Sequence, residues 1–368
     1  MNNRNKRKHG YVAPKKVEDH WDFYHKSVYV AKPGRGLPAW LLPLIILLAV
    51  IVIVFWAAPT VIKNVRSFLS AGEDQTQDEV SLLYDEDTWT VSKPVADVFD
   101  NDDIKAARVT QALYNEPVLI LSEDFTYGFV QVRLSDGCEG FMQRKDLIDN
   151  RSSIEPDLFT YKLLIADKTK RILSHASQGT LLAEVPMGTV LFADYRGDGI
   201  SRVGLPDGSF GWIGDDGVIV LPPTGKIEPV SDGVRYFCST ALAFNQVTIL
   251  DNGQSVYGIS IPGIARLAGL INGLNLPRAI IDQAVSGRPV ELVKDAETGF
   301  FDISAIEPGD LIFLTDKVGM SEIPVDMAIC IKKNQILFAR PGQSAIKLID
   351  LTLATDLQQR ILLVRRLY

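Results

Sequence analysis

The sequence predicts a multidomain chain with one transmembrane helix, two small all-β barrels and a C-terminal α+β domain. Three observations predict it. Twenty residues, 39–58, run without a charge; a glycine-centred frame recurs 71 residues apart; and a helical apolar stripe after residue 233 is followed by a series of short strands.

At 368 residues and 46% hydrophobic content, the chain is long enough for several domains with cores of their own. Its first 36 residues hold nine basic and three acidic side chains, whereas the whole chain carries −7. The segment 1–38 is therefore a basic tail, and everything after it is acidic on balance. The uncharged run that separates them is long enough to cross about 30 Å of hydrocarbon. Trp40 and Trp56 near its ends suit the two interfaces, and the charge asymmetry places the tail in the cytoplasm and the remainder outside. A cleaved signal peptide would have a shorter basic region and a shorter apolar one.

The tail also holds His9, His20, His25, Trp21, Phe23, Tyr24 and Tyr29. Two neighbouring histidines without thiolates or carboxylates around them do not make a metal site. Binding to anionic lipid and docking of a cytoplasmic partner are both open to such a tail. Residues 59–90, including the run AGEDQTQDE, form a juxtamembrane and acidic linker. Three widely spaced cysteines, Cys138, Cys238 and Cys330, imply neither a disulfide framework nor a CxxC metal site. No cofactor, metal or nucleic-acid partner is expected.

VRLSDGCEGFM, starting at Val132, and VGLPDGSFGWI, starting at Val203, share the frame V-x-L-x-D-G-x-x-G-aromatic-apolar. Asp136-Gly137 and Asp207-Gly208 are hairpin turns between alternating strands, so each block reads as a barrel of short antiparallel strands. These residues resemble bacterial SH3-like domains, with boundaries at 91–150 and 160–221. Gly140-Phe141 stands where that family has Gly-Trp, and Val109 to Leu121 is expected to form a strand pair. The resemblance implies modules that hold peptidoglycan or shape the mouth of a neighbouring active site; a barrel that only spaces the next domain from the membrane is the alternative.

After a proline-rich linker at 222–233 comes a third domain, 234–368. A helix from about Val234 to Asn245 leads to SVYGISIPGIARLAGLINGL, where Ile261, Ile264, Ala268, Ile271 and Leu274 recur at spacings of three and four. Ser260 is placed as its N-cap and Pro262 in its first turn. EPGDLIFL, VDMAICI, QILFA and AIKLI read as strands, and alternation separates Val325, Met327, Ile329 and Ile331 from Asp326, Ala328 and Cys330.

Residues Ala241, Leu242, Phe244, Gly253, Ser255, Gly258, Gly263, Leu276-Pro277-Arg278, Gln283, Gly287 and Pro308-Gly309-Asp310 are similar to the scaffold of the NlpC family of cell-wall cysteine peptidases. That family has a permuted papain-like α+β fold and cleaves γ-D-glutamyl to diamino-acid bonds in peptidoglycan stem peptides. The resemblance puts its nucleophilic cysteine on Ile261, the preceding aspartate on Ser260 and the following serine on Pro262. Its site tyrosine falls on Ile249 and its loop tryptophan on Asp251. The basic histidine falls on Asp326 and the third polar residue on Phe338. The ligand groove it implies is lined by Ile249, Asp251, Ser260, Pro262, Asp326 and Cys330.

Acyl transfer by that route needs a thiolate and a group that can take and return a proton. Isoleucine has no lone pair, and the third domain contains no histidine. Cys330 is the alternative nucleophile, with Asp326 on the same strand face as its only base, and an aspartate is too weak a base for it. His175, in the second barrel, reads as a solvated loop residue. The sequence thus predicts a catalytically inactive, membrane-anchored extracytoplasmic protein that binds peptidoglycan stem peptides or a membrane or cell-wall protein partner. A divergent active endopeptidase and a purely structural spacer are the alternatives.

Overall fold

The computed structural model describes residues 87–122, 128–295, 299–316 and 322–368, which form one compact unit. The tail, the 39–58 span and most of the acidic linker lie outside the described residues. Among the described residues no helix is long and apolar enough to cross a membrane.

Seven strands build the first barrel: β1 (Thr88–Val91), β2 (Val95–Phe99), β3 (Arg108–Leu113), β4 (Pro117–Ile120), β5 (Phe129–Leu134), β6 (Glu139–Gln143) and β7 (Leu147–Ile148). Their order across the sheet is β3-β2-β6-β5-β4-β1-β7. The second barrel comprises β8 (Tyr161–Ile165), β9 (Thr169–Leu173), β10 (Leu181–Pro186), β11 (Val190–Gly197), β12 (Ile200–Gly204), β13 (Phe210–Gly214) and β14 (Val218–Leu221). Its order, β10-β9-β13-β12-β11-β8-β14, is the first with every strand advanced by seven.

The repeat extends to single hydrogen bonds. Gly137 and Gly208 both sit at φ +83°, where a side chain is strained, and donate to Leu134 and Leu205 at 2.9 Å. The strands foreseen between Val109 and Leu121 are present, but they do not pair with each other: β3 pairs with β2, and β4 with β1 and β5. Asn115, at φ +63°, turns the chain tightly and its N–H donates to Val91, which sends β4 to the other side of the barrel. Periodicity marks a strand and does not choose its neighbour.

In the third domain α1 (Gly233–Leu242) leads to a two-stranded ribbon, β15 (Gln254–Ser255) and β16 (Gly258–Ile259). Next come α2 (Ile261–Ile271) and α3 (Ile280–Gln283). The remaining elements are β17 (Arg288–Val290), β18 (Leu311–Leu314), β19 (Asp326–Lys332), β20 (Gln335–Phe338), β21 (Lys347–Asp350), α4 (Thr355–Gln358) and β22 (Ile361–Arg366). The six-stranded sheet runs β17-β22-β18-β19-β20-β21. Helix α2 ends before Leu274, because Gly273 at φ +84° closes it with a bond from the Leu274 N–H to the Gly269 carbonyl.

Both faces of this sheet are buried. On one, α1 and α2 lay Phe237, Ala241, Ile264 and Leu267 over Leu311, Phe313, Met327 and Ile329. On the other, Ile306, Leu351 and Leu357 cover Ile312, Ala328, Cys330, Ile336 and Phe338. The barrels join these cores. Met187, in the turn between β10 and β11, enters the helical core at 4% exposure, and Tyr114 of the first barrel enters the core of the second.

Candidate functional site

The start of α2 is built by close backbone contacts. Ser260 is extended, and its Oγ accepts from the Gly263 N–H at 3.2 Å and donates to the Gly253 carbonyl at 3.3 Å. A Cβ on Gly263 would meet the Gly253 oxygen at 2.3 Å, and one on Gly253 would meet the Gly258 oxygen at 2.4 Å. These glycines let loop, ribbon and helix touch. Ile261, the first helical residue, is 2% exposed and belongs to the helical core. The Pro262 carbonyl accepts from Gln283 Nε2 at 2.9 Å, and Gln283 also donates to Pro277. Ile249 is half-buried beside this start, and its N–H donates to Ser344.

The loop before the helix rests on the first barrel. The exposed Asp251 contributes its carbonyl, which accepts from Arg108 Nη1 at 3.2 Å, while Asn252 Nδ2 donates to the Arg108 carbonyl at 2.7 Å. The Gln254 N–H donates to Gln111 Oε1 at 2.9 Å. Asp97 orients both barrel residues, accepting from Arg108 Nε at 2.6 Å and Gln111 Nε2 at 2.8 Å.

Below that contact lies a buried cluster of charges. Arg278, 7% exposed, donates to Glu116 at 2.5 Å, to the Gln111 carbonyl at 2.8 Å and to Asp136. Arg266 stands 4.0 Å from Asp136. Burial pushes the Asp136 carboxyl up, but Arg278 and Arg266 outweigh it and hold it below the usual range. Arg266 is pushed down to about 10, by burial first and then by Arg278, and stays a cation at neutral pH. Asp136 was legible only as a turn residue; its partner lies 142 residues away.

The six candidate groove residues do not line one groove. Ile249, Asp251, Ser260 and Pro262 surround the start of α2. By strand parity Asp326 shares the face of Ala328 and Cys330, which belong to the second core on the side of the sheet away from α1 and α2. Asp326 accepts from the Met327 N–H at 3.0 Å and from Arg360 Nη2 at 3.4 Å; burial raises its pKa against both. Cys330 stands four residues further along β19, about 13 Å at strand rise, too far for proton transfer. Phe338, 0% exposed, is also in the second core, so it and Ile261 fill separate cores.

The thiols are accounted for in the same way. Cys238 donates to the Cys330 carbonyl at 3.6 Å and Cys330 to the Lys332 carbonyl at 3.3 Å, and burial pushes the two up to about 11 and about 12. Cys138 is half-buried, with its pKa raised by burial and by Asp136. Alkylation of the native protein at pH 8 is expected to modify Cys138 first and to leave Cys238 and Cys330 unlabelled until unfolding; native labelling of Cys330, read by peptide mass, would show its core to be open. His175 is exposed and touches Ser174 Oγ at 3.0 Å. Among the described residues no group of three or more His, Cys, Asp or Glu side chains is placed to hold a metal ion.

Residues 98–147 match the family described as the bacterial dipeptidyl-peptidase Sh3 domain. No curated protein matches the chain. An NlpC/P60 family protein from Bacillus cereus superposes with a TM-score of 0.64 at 18% identity, over 76% of this chain and 99% of that one. An NlpC/P60 endopeptidase from Photobacterium damselae subsp. piscicida does so with a TM-score of 0.50 at 9% identity, over 77% and 73%. The chain therefore has an SH3-plus-NlpC-type architecture.

Proposed function

We propose that this SH3-plus-NlpC-type chain is a cell-wall-associated pseudoenzyme, anchored in the cytoplasmic membrane by residues 39–58 with its folded part outside. It binds peptidoglycan stem peptides, or a wall-processing partner, and tethers or regulates wall remodelling without cleaving. The observation that carries this reading is Ile261. The helix that in the resembled family presents a thiolate here begins with a buried isoleucine, capped by Ser260 in a kept backbone.

The remaining side chains support the same reading. The third domain has no imidazole, and the Cys330 thiol is buried and protonated at neutral pH. With neither nucleophile nor base, the scaffold has affinity left to select for and no chemistry. The fold similarity to NlpC/P60 proteins, one of them an endopeptidase, points to the wall as the ligand's source.

The test is titration of the full chain with defined tripeptide and tetrapeptide stems, with product analysis of the same samples. Saturable binding with intact peptides is expected. Release of the diamino acid from the tripeptide, or of the corresponding dipeptide from the tetrapeptide, would sink the pseudoenzyme reading, and absence of binding would leave the partner-binding and spacer readings.

A further inference from the structure

The connection between the second barrel and the third domain belongs to no core and no sheet. It leaves the end of β14 as Leu221-Pro222-Pro223-Thr224-Gly225-Lys226. From Pro222 to Ser231 no residue lies in a helix or strand, and among the described residues no side chain of this run makes a hydrogen bond or an ion pair. Its backbone makes one bond within itself, from the Gly225 N–H to the Pro222 carbonyl at 2.8 Å. The two prolines have no N–H to give to a ladder. Pro222, Thr224 and Lys226 are exposed.

The fold does not demand an open connection. Between the two barrels the chain is tied down: the Asn150 carbonyl accepts from Thr90 Oγ1 at 2.6 Å, and Asn150 Oδ1 from the Ser152 N–H at 2.9 Å. Ser153 Oγ donates to Asn115 Oδ1 at 2.7 Å, Arg151 pairs with Glu155 at 2.8 Å, and Ile154 is buried. An enzyme that draws a backbone into its groove thus meets one closed connection and one open one.

The open one is also selective in sequence. Leu-Pro-x-Thr-Gly is the pentapeptide that sortase-type cysteine transpeptidases accept: leucine fills an apolar pocket, proline kinks the chain, and the Thr–Gly bond is laid against the thiol. Leu221 is the last residue of the edge strand β14, which pairs with β8 alone, so only its pairing with Lys162 has to be peeled away. Gly225 offers no side chain beside the bond to be cut. In the turn, a Cβ there would meet the Pro222 ring at 2.8 Å.

We propose that Leu221 to Gly225 is a transpeptidation site, cut between Thr224 and Gly225 by a sortase-type enzyme. The enzyme's thiolate attacks the Thr224 carbonyl carbon, the C–N bond to Gly225 breaks, and the Gly225 nitrogen leaves as an amine with a proton from the enzyme. A primary amine then attacks the thioester and gives up a proton, the C–S bond breaks, and the thiolate returns. The products are residues 1–224, joined through the Thr224 carbonyl to the acceptor amine, and residues 225–368. Met187 in the helical core and Arg278 against Glu116 still hold the two pieces together. Cutting therefore changes what the barrels are bonded to without releasing the third domain. That the acceptor is an amine of the wall rests on the extracytoplasmic placement proposed above; the site itself does not.

The experiment is incubation of the full chain, in detergent, with a sortase and triglycine, beside a synthetic peptide of the same Leu221–Lys226 sequence. Intact mass after denaturation is expected to show two fragments, the first carrying triglycine on Thr224. Pro222→Ala and Thr224→Ala are each expected to abolish cleavage with unchanged unfolding temperature, since both side chains are exposed. An uncut chain under conditions that convert the peptide, cleavage only of previously unfolded chain, or cleavage that both variants keep overturns the proposal. Stem-tripeptide affinity is expected to be the same in Thr224→Ala. A chain that is cut but binds no stem peptide strikes the pseudoenzyme reading alone, and one that binds but is not cut strikes this site alone.

Discussion

Replacing Arg278 with methionine is expected to destabilise the protein by about 3–5 kcal/mol, because it leaves buried carboxylates without their cation. Arg278 is 7% exposed, and its partners Glu116 and Asp136 are 15% and 29% exposed. The Gln111 carbonyl and Thr110 hydroxyl also lose a donor. Urea unfolding of Arg278→Met and of the double variant with Glu116→Gln measures the effect; the double variant recovers part of the loss if desolvated charge is its cause. A loss below about 1 kcal/mol would place the pair among solvent-screened ion pairs.

The same cluster sets a pH dependence. The folded-state pKa of Asp136 is depressed below its unfolded value, so the folded protein holds the proton less tightly. Its contribution is fully present above the unfolded carboxylate value of about 3.9 and is lost as pH falls through the depressed folded value. Stability of the Asp136→Asn variant is expected to vary less over that acid range than stability of the parent, measured by urea midpoints between pH 5 and pH 2.

Introducing a polar residue at Phe338 is expected to be nearly as damaging. Phe338→His puts an imidazole into a core of Ile312, Leu314, Ala328, Ile336 and Leu351, where Phe338 has 0% exposure. Lost apolar burial, a residual cavity and an unpartnered polar group together cost about 3–5 kcal/mol. Phe338→Leu keeps the core apolar and is expected to cost less than half as much. Equal midpoints for the two would mean that solvent reaches this site. The asymmetry follows from the space around Phe338, which is lined by hydrocarbon.

What the sequence determined by itself is local. The D-G turns at Gly137 and Gly208 need positive φ, and the 71-residue repeat of their frame already implied two copies of one barrel. Ser260 before Pro262 marks a helix start because one caps free amides and the other tolerates only a first turn. The absence of histidine after residue 175 is visible without coordinates. Each of these depends on neighbours within a few residues or on composition alone.

Tertiary structure decided the rest. LIFL in β18 and the Met327–Ile331 run in β19 are apolar on both faces, so no alternation told which face meets the helices. That choice separates Asp326, Cys330 and Phe338 from Ile261. ILLVRR, unrecognised as a strand, became β22 in the interior of the sheet, between β17 and β18. Arg278 looked like one scaffold residue among several, yet it joins the third domain to carboxylates 142 and 162 residues earlier. Local spacing encodes backbone angles and caps, whereas the partner of a strand face or of a buried charge is set by burial and Coulomb energy summed over distant parts of the chain.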